Sequence, residues 1–160
     1  MRARFVNENT FERGRSVKVT LGLGKRALIK KWFDDLGKSS DKYVINDDLS
    51  IDYNSWLNLE NTKITKLPNN LTVNGYLNLT NTNITELPDN LNVHGSLYLE
   101  NTNITELPDN LTVKGSLDLE NTNITKLPDN LNIKKPKVFI KKTLMKIHSK
   151  EEEVLKPHLV

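Results

Sequence analysis

The sequence predicts a mainly β solenoid, in which short coils stack on one another and each contributes strands to common sheets. The chief observation is an internal repeat, because residues 51–130 divide without gaps into four blocks of twenty residues. The blocks share the template L-x-V-x-G-x-L-x-L-x-N-T-x-I-T-x-L-P-x-N. One such block cannot bury its own apolar side chains, whereas stacked blocks bury them against each other.

The template describes a pair of short strands joined and closed by turns. Apolar and polar residues alternate in two runs, as Leu71, Val73, Leu77 and Leu79 illustrate, and this is strand rather than helix periodicity. The glycine between the runs marks a turn with positive φ or a close approach of backbones. The Asn-Thr pair favours a second tight turn, and the Leu-Pro step closes the block as a corner. We therefore expect the blocks to be essentially free of helix.

The residues before the repeat predict a flexible arm and a cap. Residues 1–22 are basic and lack periodicity, so we interpret them as the arm. Residues 23–50 contain a capping helix and a lead-in strand; apolar side chains recur at helical spacing over 25–36, and Gly37 suits the helix end. The helix is expected to cover the open first coil, the alternative being a site for an outside partner. The glycine-rich run 21–25 lacks the full phosphate-loop spacing and is interpreted as a hinge.

The residues after the repeat predict an irregular end to the stack. Residues 131–160 begin a further coil, but Pro136 interrupts the template and Val138 comes one residue late. We interpret this segment as a closing coil. Ser149 and Glu152 then form a capping-box pattern for a short C-terminal helix that ends near Pro157.

The composition of the chain excludes several kinds of chemistry and suggests where the protein is located. The 160 residues are typical of one domain, and the absence of cysteine excludes disulfides and thiolate chemistry. No apolar run fits a signal peptide or a membrane span, so we expect a cytoplasmic protein without a membrane partner. The net charge of +3 is uneven, since residues 1–31 hold nine basic against two acidic side chains and residues 51–130 hold four against ten. We interpret the basic ends as solvated, because no nucleic-acid motif accompanies them.

The titratable residues do not predict a catalytic or metal site. His94, His148 and His158 are not paired by any spacing. Carboxylates at Glu60, Glu100 and Glu120 would stand about 5 Å apart or twice that distance, which suits paired carboxylates or calcium in principle. A solvated acidic edge explains them more simply. We therefore predict a protein that is not an enzyme and that has no catalytic residues, cofactor or metal.

The best candidate for a functional site is the outward side of the second strand. Repeat-invariant positions build the coil, so the variable outward positions are free to serve binding. Large aromatic side chains on adjacent coils are typical anchors of protein interfaces. Alternatively, Trp56 and Tyr76 pack beneath the N-terminal helix or arm. The predicted protein-binding residues are Trp56, Tyr76, Tyr98, Asn58, Asn78 and Asp118.

The repeat resembles the leucine-rich repeat, whose core motif is L-x-x-L-x-L-x-x-N-x-L. Leu77, Leu79 and Ile84 match this motif, and Thr82 occupies its asparagine position. The short period and the repeated Leu-Pro step resemble the shortest bacterial class, known from secreted effectors. Val73 takes the role of the family's first leucine, and this departure favours a flatter solenoid with two strand faces.

A second resemblance covers nearly the whole chain. Before the repeats the chain contains, in this order, the segments RARFVNENTFERG, LGLG, IKKWFDDL and YVINDDLSID. The same order of segments makes the chain similar to small leucine-rich-repeat proteins encoded by large tailed bacteriophages. This resemblance implies a phage protein in the cytoplasm of the infected bacterial host, engaging a host or phage protein. The alternative is a structural or cargo component of the virion, tethered by the basic arm. Open coil edges allow a monomer or a dimer.

Overall fold

The computed structural model describes residues 17–133 and 138–139 of the chain. These residues form a mainly β solenoid of about three turns of stacked coils, with one α-helix in the described part. The predicted mainly β solenoid is thereby confirmed. Most of the predicted arm, much of the closing coil and the predicted C-terminal helix lie outside the described residues.

Two sheets run along the stack, and all but one of their strand pairs are parallel. The six-stranded sheet has the order β1-β2-β4-β6-β8-β10 and the five-stranded sheet the order β11-β9-β7-β5-β3, with β1 antiparallel to β2. In chain order the strands are β1 (Tyr43–Ile45), β2 (Ile51–Tyr53), β3 (Leu57–Asn58), β4 (Leu71–Val73), β5 (Leu77–Asn78), β6 (Asn92–Val93), β7 (Leu97–Tyr98), β8 (Thr112–Val113), β9 (Leu117–Asp118), β10 (Asn132–Ile133) and β11 (Val138–Phe139).

The register of both sheets follows the repeat. Ile51 pairs with Leu71 in one sheet and Leu57 with Leu77 in the other, so equivalent residues stack twenty positions apart. The last strand departs from this rule, because Val138 pairs with Leu117 and is therefore one residue late. The last described strand is thus offset by one residue from the twenty-residue register.

The inward side chains form one continuous core along the stack. Leu77, Leu79 and Ile84 are fully buried, as are their equivalents in the following block. The threonine of the Asn-Thr pair is also buried in the two blocks that have a block on either side, as Thr82 and Thr102 show. The hydroxyl group of Thr82 donates a hydrogen bond to the Leu79 carbonyl at 2.7 Å. This bond satisfies a polar group that would otherwise be costly inside the core.

The asparagine of each Asn-Thr pair adopts a left-handed backbone, with φ between 54° and 58°. Asparagine tolerates this region better than most residues. The side chains also bond along the stack, since each amide Nδ2 donates to the Oδ1 of the preceding asparagine at 2.8–2.9 Å. The row consists of Asn61, Asn81, Asn101 and Asn121. The turn and the contact between coils therefore depend on the same residue type.

The repeated glycines are required by the close approach of successive coils. A Cβ at Gly95 would lie 2.7 Å from the Tyr76 backbone nitrogen, and one at Gly75 or Gly115 meets the preceding coil at the same distance. Of the described glycines, Gly37 is the one with a positive φ. The sequence left both explanations open, and the structure selects close packing. Ser55, the equivalent residue of the first block, has no preceding block against it.

The helix α1 spans Val17–Asp35 and is followed by a 3-10 helix at Ser40–Lys42. Its predicted start at residue 25 was wrong, and the run 21–25 lies within the helix instead of forming a hinge. Glycine weakens a helix by about 1 kcal/mol without forbidding it, and no proline interrupts this segment. The predicted end is confirmed, because Gly37 has φ 63° and the Lys38 amide bonds to the Phe33 carbonyl at 2.9 Å.

The helix packs on the first coil through an aromatic cluster. Phe33 is fully buried and its ring stacks on Tyr43 and Tyr53, with centroid distances of 4.1 Å and 5.8 Å. Trp32 meets Phe33 edge-on at 4.9 Å. These contacts cover the apolar side chains that a first coil would otherwise expose.

Two cations bond to backbone carbonyls at the N-terminal edges of the sheets. Lys38 Nζ donates to the Asn58 carbonyl at 2.7 Å, and β3 is the edge strand of its sheet. Arg26 donates to the carbonyls of Ile45 and Asn46 beside β1, the edge strand of the other sheet. Charged groups at such edges oppose pairing with further strands.

We expect Gly95→Ala to lower the free energy of unfolding by about 1–3 kcal/mol, because the added Cβ forces adjacent coils apart. Urea denaturation followed by circular dichroism measures the change. Ser55→Ala is the matched control and should stay within about 0.5 kcal/mol of the wild type. Equal stability of Gly95→Ala and the control would contradict the close-packing explanation.

We expect Tyr43→Phe to raise the free energy of unfolding by about 1 kcal/mol at neutral pH. The Tyr43 hydroxyl is buried and has no hydrogen-bond partner among the described residues. Thermal and urea unfolding measure this difference, with Tyr76→Phe at an exposed ring as control. A clear loss of stability in Tyr43→Phe would show that the hydroxyl has a partner.

Because the Tyr43 ring is buried, we expect the free energy of unfolding to fall at alkaline pH. Burial, assisted by the Asp34 carboxylate, raises the pKa of Tyr43, and burial also raises the pKa of Tyr53. The unfolded chain therefore loses these protons first, and stability falls as the pH rises above about 10. Unfolding measured from pH about 8 to 12 should show a smaller fall in Tyr43→Phe than in the wild type. Identical pH profiles would contradict this assignment.

Candidate functional site

The outward side chains of β3, β5, β7 and β9 and of the residues that flank these strands form a regular surface, which we call the outer face. Leu57 and Leu59 point inward and are fully buried, so the residues that alternate with them point outward. The same alternation holds in the three blocks that follow. The outer face consists of Trp56, Asn58, Glu60, Tyr76, Asn78, Thr80, Ser96, Tyr98, Glu100, Ser116, Asp118 and Glu120.

Three aromatic side chains lie in contact across the outer face. The ring of Tyr76 is 5.4 Å from that of Trp56 and 6.2 Å from that of Tyr98, measured between centroids. The exposed fractions are 56% for Trp56, 36% for Tyr76 and 37% for Tyr98. We call these three residues the aromatic row. The structure thus brings together, and leaves accessible, the aromatic residues singled out from the sequence.

The helix does not cover the aromatic row. More than half of Trp56 remains exposed, whereas Phe33 of α1 packs on Tyr43 and Tyr53. The alternative in which Trp56 and Tyr76 pack beneath this helix was therefore wrong for the described part of the chain. Helical spacing alone could not show which part of the first coil the apolar stripe would meet.

The polar residues of the predicted site have a local role. The side-chain Oδ1 of Asn58 accepts a hydrogen bond from the amide of Glu60 at 3.0 Å, and Asn78 and Asp118 make the equivalent bond. All three are half-buried. Tyr98 occupies the same repeat position and projects outward as an exposed ring. These polar residues therefore shape the turn at the rim of the aromatic row, a role that Asx residues commonly have.

The outer face is acidic. Its twelve positions include four carboxylates, at Glu60, Glu100, Asp118 and Glu120, and no lysine or arginine. Glu60 accepts a hydrogen bond from the Asn78 amide at 3.2 Å. The ion pairs among the described residues lie elsewhere, in the N-terminal region and at Lys66–Glu86. No positive side chain of the described residues therefore neutralises this surface through an ion pair.

A separate cavity of about 370 Å³ lies where two Leu-Pro corners stack. Its charged lining includes Glu106, Asp109 and Lys126, all of them exposed. Across residues 17–133, no group of three or more histidine and carboxylate side chains is placed to hold a metal ion.

No protein-family model, curated protein or solved structure matches the chain. The helix that the structure describes is not long and apolar enough to cross a membrane.

Sequence reasoning missed two features of this region. It did not identify the bond from Lys38 to the Asn58 carbonyl, because no local pattern links residues twenty positions apart in different elements. It also treated Asn58, Asn78 and Asp118 as free for binding. The signal was present there, since Asn or Asp placed before a turn commonly bonds the amide two residues later.

Proposed function

We propose that this chain is a non-enzymatic module that binds another protein through the aromatic row of its outer face. The observation that carries the proposal is the contact of three exposed aromatic rings across adjacent strands. Tryptophan and tyrosine dominate the binding energy of many protein interfaces, and clustered exposed apolar surface often marks an interaction site.

The fold has no need of aromatic residues at these positions. Ser96 and Ser116 stand where Trp56 and Tyr76 stand in earlier blocks, on strands that pair in the same parallel register. Placing large rings there leaves apolar surface in water, which favours a complex that buries it. The rings also project from strands fixed by their neighbours, so binding orders little new backbone.

We further propose that the stack consists of four coils of twenty residues and an irregular closing coil, of the short bacterial leucine-rich-repeat type. The twenty-residue register supports this count, and the bond from Thr82 to the Leu79 carbonyl supports the equivalence of Thr82 with the family's asparagine. The resemblance of the leader to phage proteins supports a role in the cytoplasm of an infected bacterium. The partner is then a host or phage protein.

A pull-down compares the wild type with the variant Trp56→Ala, Tyr76→Ala, Tyr98→Ala in lysates of infected and uninfected bacteria. We expect the variant to capture at least about tenfold less partner than the wild type, because several interface anchors are truncated together. Circular dichroism should show unchanged folding, since the substituted rings are exposed.

The matched control is Thr72→Ala, His94→Ala, Thr112→Ala, which alters outward positions of the six-stranded sheet. This variant should capture the partner as the wild type does. Capture that survives loss of the aromatic row, or disappears equally in both variants, would contradict the assignment of this face.

A further inference from the structure

We infer that the segment recognised by the outer face is an extended, arginine-bearing stretch of the partner protein. This inference rests on the proposed function and adds the chemistry of the partner. The observation behind it is the combination of exposed aromatic rings with carboxylates at the twelve described positions of the outer face, none of which is lysine or arginine.

Two of the carboxylates lie close to Tyr98 in the aromatic row. Asp118 is the direct cross-strand neighbour of Tyr98, and strands in a sheet are about 4.8 Å apart. Glu100 follows Tyr98 by two residues, at the start of the turn, which places it within about 7 Å. Glu60 stands further from Trp56, four residues along the chain. A cation above the Tyr98 ring therefore meets negative charge from both Asp118 and Glu100.

Arginine fits this surface better than any other residue. Its guanidinium group stacks on aromatic rings and donates paired hydrogen bonds to carboxylates. Lysine offers a smaller, more strongly hydrated charge that does not stack as a plane. The clustered carboxylates would repel an acidic partner, including a nucleic acid.

The spacing of the rings indicates an extended segment. The centroids of the aromatic row are 5.4 Å and 6.2 Å apart. Alternate side chains of an extended peptide are about 7 Å apart on the same side, so arginines at alternate positions can reach successive rings. A helix would present neighbouring side chains three and four residues apart from a curved surface, which fits a flat sheet less well.

The other sheet provides an internal comparison. Its outward positions in the same four blocks hold one aspartate and one lysine, together with Asn, Thr and His94. They include neither an aromatic side chain nor an excess of carboxylates. The combination that we assign to arginine recognition is thus confined to one of the two sheet faces.

The test uses the full chain with Trp32→Phe, which leaves Trp56 as its only tryptophan. The probe is a capped synthetic peptide in which arginine and serine alternate, with a second peptide that carries neutral citrulline in place of each arginine. Trp56 fluorescence and calorimetry measure binding. We expect the arginine peptide to bind at least about tenfold more tightly than the citrulline peptide, and to weaken as salt rises from about 50 to 500 mM.

Charge reversal locates the interaction on the protein. Glu100→Lys with Glu120→Lys should weaken arginine-peptide binding by at least about tenfold. The matched control is Glu106→Lys with Asp109→Lys, which changes the net charge equally at exposed positions of a Leu-Pro corner. This control should remain within about twofold of the wild type.

Equal binding of the two peptides, or equal weakening by the face and corner variants, would overturn the inference. A further full-length variant changes Arg2, Arg4, Arg13 and Arg15 to glutamine. If only this variant binds the arginine peptide, the chain's own basic segment occupies the face, and the assignment to a partner is wrong.

The two proposals can fail separately. If the aromatic variant loses a lysate partner but the arginine peptide does not bind, the binding face stands and the arginine assignment is overturned. If the aromatic variant captures its partner normally and the peptide does not bind, both are overturned.

Discussion

The close, in-register stacking of successive coils is the constraint on which the rest of this structure depends. Strands paired twenty residues apart place each side chain on its equivalent in the next coil. This arrangement requires glycine where backbones approach most closely, as at Gly95, and asparagine where the turn is left-handed, as at Asn81. It also joins the inward leucines into one core. A single substitution at such a position disturbs two coils at once.

Stacking makes every coil depend on its neighbours, so the ends of the stack need different chemistry. At the N-terminal end, Phe33 supplies the apolar contact that a preceding coil would have made. Lys38 bonds to the Asn58 carbonyl and Arg26 to the Ile45 carbonyl, and both carbonyls belong to edge strands. The first block also departs from the template here, because it has Ser55 where the later blocks have glycine, and no earlier block packs against Ser55. The departures from the template thus follow from position in the stack.

The parts of the fold that the sequence predicted are those set by the repeat itself. A strict period determines both the strand alternation and the partner of each residue, so the inward positions of Leu77 and Leu79 were predictable without a structure. The start of α1 did not, because Gly22 and Gly24 lower helix propensity and mimic a boundary. The edge contacts of Arg26 and Lys38 also escaped prediction, since they join elements that share no period. At the candidate site, alternation predicted that the aromatic residues point outward, but not that their rings touch.

The division between inward and outward positions also separates the residues that stabilise the fold from the residues to which we assign the proposed binding. The free energy that holds the coils together comes from buried side chains such as Leu97 and from backbone pairing, neither of which involves the outward rings. The outward positions can therefore change at little cost to the fold, as the replacement of aromatic residues by Ser96 and Ser116 illustrates. Folding alone does not explain three adjoining aromatic rings at such variable positions. Nor does it explain a set of carboxylates that form no ion pair among the described residues. The proposed binding function accounts for their presence, and the regular sheet beneath them would fix the geometry in which the proposed partner meets them.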